Sequence, residues 1–156
     1  MLRRLFYIVM IAVGAAALAV LDGWIESSSA QTGPGTIRIT SREISRVRVD
    51  SGTPGRGPGD VEIIRHNLFN KRIKATPIGH SDYVCTFITA GTRSCNATFF
   101  LPRGRLVAGG SIRYPEFYEL AVLGGTRLYD NARGTLTVIR TTNNPRRDIL
   151  LFRLIG

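Results

Sequence analysis

Metal-ligand clusters, helical periodicity and the signatures of the common enzyme classes are all missing from this chain of 156 residues. Its only histidines are His66 and His80 and its only cysteines Cys85 and Cys95. Without CxxC or HxxxH spacing these four do not make a zinc motif, so no metal site is expected. No GxSxG, HExxH, Walker loop or dinucleotide-binding fingerprint occurs, and any site has to be assembled from scattered polar residues. From residue 36 onward no stretch of 11 or more residues keeps the 3.6-residue period of an amphipathic helix, which excludes a helical fold. Acidic charge is scarce: 11 Asp and Glu against 21 Lys and Arg leave a net charge of +10. The arginines (Arg38, Arg42, Arg46, Arg48, Arg103, Arg105, Arg113) are scattered singly, and no motif interleaves aromatic and basic residues, so nucleic acid is not the expected partner. A solvated basic surface that touches an anionic envelope is the better reading.

What is present begins at the N-terminus. Arg3 and Arg4 precede an uncharged run from Leu5 to Val20, and Ser28, Ser29 and Ala30 supply small residues before Gln31. This is the pattern of a secretory signal helix, with a second cleavage point at Ala17 and Ala19. An uncleaved anchor is the alternative, since Leu5 to Leu21 falls just short of the roughly 20 residues of a bilayer span. Residues 1–30 are therefore read as signal peptide or anchor, 31–35 as a linker, and 36–156 as one domain that is secreted, periplasmic or membrane-anchored.

The domain reads as short apolar alternations broken by turn residues, the pattern of an all-β protein. Ile37 and Ile39, then Ile44, Val47 and Val49, predict a bent or interrupted first strand, and the loop Ser51–Gly59 follows. Further strands are expected over Val61–Leu68, Tyr83–Phe87, Cys95–Leu101, Arg105–Ile112, Phe117–Leu123, Thr135–Thr141 and Ile149–Ile155, with turns over Asn70–Lys74 and Asn143–Pro145. Gly109 and Gly110 suggest a bulge or barrel corner. About eight strands with short connections suit a small closed antiparallel β-barrel, with a two-sheet sandwich left open. Folding about Ala90 and Gly91 sets Cys85 opposite Cys95, so a cross-strand disulfide is expected in an oxidising compartment, the alternative being two buried thiols.

The stretch from Gly59 and Asp60 through Asn67 and Leu68, Gly79 with Cys85 and Cys95, Leu101–Gly104, and Leu123–Tyr129 with Ala132, Arg133 and Gly134 resembles the allene oxide cyclase barrel-like family and its dirigent relatives, in particular exported bacterial members. The resemblance spans about residues 36–156. Where the family has GGTGxY, Arg127 stands in place of the third glycine, implying that residue 127 need not take a positive φ. The resemblance implies an eight-stranded barrel that holds a small apolar molecule and steers it towards cyclisation or coupling by orientation and exclusion of water, without a cofactor.

No residue is assigned a catalytic role. Candidates for ligand contact are Tyr83, Asp60, Arg65, Tyr114, Glu116 and Glu119, each on or beside a predicted strand. Tyr83 shares the expected interior face with Cys85 and Phe87, where the core role outweighs ligand contact. Asp60 also suits a turn cap, Arg65 and Glu116 a solvated surface, Tyr114 before Pro115 a barrel end, and Glu119 the polar phase of a strand. Two functions stay open: a cyclase- or dirigent-like barrel for a hydrophobic or aromatic molecule, and a non-catalytic envelope carrier or scaffold. In the second, Phe87, Phe99, Tyr83, Phe117 and Phe152 would fill the interior.

Overall fold

The computed structural model describes residues 35–52, 54–70, 76–142 and 147–155. The signal or anchor segment 1–30, nearly all of the linker, most of the Asn70–Lys74 turn and the Asn143–Pro145 turn lie outside them. Among the described residues no helix is long and apolar enough to cross a membrane.

Eight strands follow one another: β1 (Gly35–Val49), β2 (Val61–Asn70), β3 (Gly79–Phe87), β4 (Arg93–Leu101), β5 (Gly104–Ile112), β6 (Phe117–Arg127), β7 (Arg133–Arg140) and β8 (Asp148–Ile155). Each pairs antiparallel with the next, and β1 pairs with β8 from Gly35↔Leu154 to Ser41↔Asp148. The sheet is therefore a closed barrel rather than a sandwich, and no strand edge is left open.

Two register shifts bend the wall. The expected interruption of β1 is a single extra residue, Ile44, since Glu43 pairs with His66 and Ser45 with Arg65. The second lies between Val107 and Ala108, where Leu123 is the extra residue on β6, slightly upstream of the expected Gly109–Gly110. Such bulges increase local twist and help a sheet curl shut.

Alternation sends one residue of each pair inward. Phe99, Phe152, Leu68, Leu106 and Leu136 are wholly buried, with Leu120 and Leu150 nearly so. Phe99 stands edge-on to Phe152 with ring centroids 5.0 Å apart and to Tyr83 at 5.6 Å, geometry that suits the aromatic quadrupole. Phe117 departs from expectation. It is exposed, because Tyr118, Leu120 and Val122 take the inward phase of β6.

The β6–β7 turn corrects a second expectation, because Arg127 does adopt a positive φ, 59°. The turn is closed by Tyr129 N–H donating to the Thr126 carbonyl and Asp130 N–H to that of Arg127, and this geometry overrides the side chain's preference. Gly125 is sterically obliged here, since a Cβ would run into the backbone of Tyr129 and Arg105, whereas Gly124 has open space. A non-glycine residue in the left-handed region costs about 1–2 kcal/mol, and glycine gives back about 0.4–1 kcal/mol through the unfolded chain. Arg127→Gly is thus expected to stabilise the protein by about 0.5–1 kcal/mol, read as a raised urea midpoint. A lowered midpoint would show that the Arg127 side chain contributes more than its backbone costs.

Cys85 and Cys95 are directly opposed in the β3–β4 register and form a disulfide. The bond closes a short loop, so the double substitution Cys85→Ser, Cys95→Ser is expected to cost about 2–4 kcal/mol in chemical denaturation while the fold is retained. A loss below about 0.5 kcal/mol would mean that the unfolded hairpin is already compact.

Candidate functional site

The charged interior residues gather at one end of the barrel, the end ringed by the β1–β2, β3–β4, β5–β6 and β7–β8 connections. Each follows from strand phase. Glu62 is two residues before Ile64, Arg93 two before Cys95 and Asp148 two before Leu150, while Arg140 is two after Val138. They share the inward face with those apolar neighbours but sit at strand ends, where the core gives way to the mouth.

There the Glu62 carboxylate, 2% exposed, accepts from two guanidiniums, Arg46 at 3.0 Å and Arg93. Arg46 also makes a two-point contact with Glu43, 2.8 and 3.0 Å, and these hydrogen bonds hold the Glu43 carboxyl below its ordinary range. Across the barrel Arg140 grips Asp148 through Nε and an Nη at 3.0 and 3.3 Å. A cavity of about 480 Å³ opens among these groups, walled by Arg46, Arg93, Arg140, Phe87, Ile112 and Pro115 and rimmed by Arg56, Ala90, Gly91 and Arg113.

Deeper along the axis lies a layer of buried titratable groups. His66 Nε2 is 4.0 Å from Asp148, and its ring stands edge-on to Tyr83 at 5.2 Å. Burial pushes the His66 pKa down, opposed by the charges of Asp148 and Glu43, which favours the neutral imidazole. Burial likewise raises the Tyr83 phenol well above its usual range and Tyr118 to about 12. The Tyr83 phenol also feels the charge of Tyr118 across the interior. Near neutral pH this layer therefore offers uncharged donors and acceptors beneath a charged rim. Among the described residues no group of three or more His, Cys, Asp or Glu side chains converges as a metal site.

The sequence candidates are dispersed by the fold. Tyr83 is inside the barrel. Asp60, 1% exposed, accepts from Ser51 N–H and Gly57 N–H and so ties down the β1–β2 loop. These bonds hold its carboxyl below the usual range. Arg65 lies on the outer wall against Asp82 at 2.7 Å, and Glu119, also outward, accepts from Thr137 Oγ1 at 2.9 Å. Tyr114 is exposed beside Arg113, and Glu116 is exposed while its carbonyl accepts from Arg140 N–H. Sequence reasoning missed Glu62, Arg93, Arg140, Asp148 and Tyr118, although the phase of their apolar neighbours would have placed them inward.

The closed barrel thus carries at one end an open, charge-lined cavity of about 480 Å³. No family model matches the chain, and no curated protein matches it. Among solved structures it is similar to a pyocyanin demethylase, with a TM-score of 0.64 and 23% identity over 76% of this chain and 100% of that one. A pterocarpan synthase dirigent protein superposes with a TM-score of 0.59 and 16% identity, covering 80% of this chain and 87% of that one. The Diels Alderase of Streptomyces koyangensis gives a TM-score of 0.60 and 14% identity over 91% and 80% of the respective chains. At these identities what is shared is the barrel fold.

The lowered His66 pKa carries a pH dependence. The unfolded chain takes up the imidazole proton near pH 6.5, before the folded protein does, so stability falls as pH drops below that value. Glu43 and Asp82, whose pKa values are lowered in the fold, lose their contributions only at lower pH, below the ordinary 4.5 and 3.8. In urea titrations between about pH 7.5 and 5.5 the midpoint is expected to fall, and His66→Gln to flatten that segment while the loss below about pH 4.5 remains. An unchanged slope in the variant would acquit His66.

Proposed function

We propose that this chain is an exported barrel of the allene oxide cyclase-like and dirigent-like kind, which binds a small molecule with a hydrophobic or aromatic body at its mouth and guides cyclisation or coupling without a cofactor. The observation that carries the reading is the cavity of about 480 Å³, a volume within the usual range of small-molecule sites. Phe87, Ile112 and Pro115 supply the small apolar part of a mostly polar lining, and the guanidiniums of Arg46, Arg93 and Arg140 are held in place by their carboxylates. A charge array fixed before the ligand arrives costs little reorganisation and favours orientation over chemistry by a single nucleophile. The proteins that share the fold include a demethylase, a dirigent protein and a Diels Alderase, which supports small-molecule work at such a barrel.

A carrier without turnover is the second reading, favoured by the solid packing of Phe99, Phe152 and the leucines below the mouth. It shares the binding site and differs only in the fate of the ligand. Tyr83, buried below the cavity, would reach a ligand only in the first reading and is packing in the second.

Binding is tested by thermal shift with a panel of apolar and phenolic compounds, in which a ligand at 100 times its dissociation constant stabilises the fold by about 2.7 kcal/mol. Gly91 stands at the rim with open space where a Cβ would be, so Gly91→Trp is expected to obstruct the mouth without disturbing the core. It should abolish any shift while leaving the unliganded melting temperature within a few degrees. A shift that survives Gly91→Trp would place the ligand elsewhere, and a panel with no shift would favour a scaffold.

A further inference from the structure

The mouth is not electrically balanced. Arg46 is matched by Glu43 and Glu62, Arg93 by Glu62, and Arg140 by Asp148. Arg56 and Arg113 line the same cavity and have no carboxylate partner among the described residues. Each lies instead over an aromatic ring, Arg56 at 5.3 Å from the centre of Phe87 and Arg113 at 5.6 Å from that of Tyr114. A ring-face contact steadies a guanidinium yet consumes none of its in-plane N–H donors. Arg56 comes from the β1–β2 connection and Arg113 from the β5–β6 connection, half the circumference of the eight-stranded ring apart. They therefore approach the opening from opposite sides.

We propose that the mouth selects an anionic ligand: a planar aromatic or conjugated molecule carrying a carboxylate, drawn into the cavity by the unmatched guanidiniums of Arg56 and Arg113 at its rim. This rests on the reading of the mouth as a small-molecule site and adds the charge that site requires. The fork of N–H donors on arginine matches a carboxylate in two-point contact, which a neutral amide of the same shape cannot accept equally. Counter-charge is already supplied to the other three arginines, so the ligand completes the array rather than competing with Glu43, Glu62 or Asp148.

The experiment measures calorimetric binding of naphthalene-2-carboxylate and of its neutral amide to the parent and to the double variant Arg56→Gln, Arg113→Gln, whose melting is checked first. The parent is expected to prefer the carboxylate by about tenfold or more, a preference that weakens as salt is raised. In the double variant carboxylate and amide should bind alike. Equal affinities in the parent, or a preference that survives the double substitution, overturn the charge selection and leave the mouth a neutral site. Loss of both probes in a normally melting variant also counts against it, because the arginines would then be walls rather than readers of charge. If neither probe binds the parent, both the charge selection and the mouth as a small-molecule site fall.

Discussion

The seam between β1 and β8 is the constraint on which the mouth depends. Pairing there stops at Ser41↔Asp148, whereas β1 continues alongside β2 as far as Val49↔Val61. The upper half of β1 therefore overhangs the end of its partner, and the bulge at Ile44 changes the phase of the overhang. Arg46 swings over the opening while Val47 and Val49 face outward. Strand stagger is a requirement of closure, so the uneven rim is a product of barrel geometry that the charged side chains occupy.

Those charges are poor candidates for stabilising the fold. Taking carboxylates such as Glu62 and Asp148 out of water is costly, and paired arginines offset that cost without a dependable surplus. Their value is positional. Glu62, from β2, holds one guanidinium from β1 and another from β4, which ties three strands together at the opening. Below it the interior passes to uncharged polar groups at His66, Tyr83 and Tyr118 and then to hydrocarbon at Phe99 and Phe152. Polarity is graded along the axis.

Much of the wall was legible from alternation alone, because apolar residues at every second position leave few choices of strand phase. The same rule placed Tyr83 and the two cysteines on one face and set the cysteines opposite each other. Closure was less legible, since a seam between the first and last strands is a pairing of distant segments that local pattern does not encode. The charged mouth escaped for a different reason. Arg93, Arg140 and Asp148 stand at the first or last inward position of a strand, where a polar residue looks like the beginning of a loop. Glu62 was hidden by its resemblance to the outward Arg65 nearby, although the two differ in phase. Arg127 shows the limit of reading a turn from its residues, because the hydrogen bonds of the turn impose a conformation its side chain disfavours.

The plug of Phe99, Phe152 and the surrounding leucines makes the barrel a cup rather than a tube. On the proposed function, a molecule seated at the mouth would arrive and depart by the same doorway, because among the described residues this packing closes the axis below it. Successive occupants would then exchange one at a time, and one that lingered would block the next. Traffic through such a vessel would be governed by how readily the rim lets go.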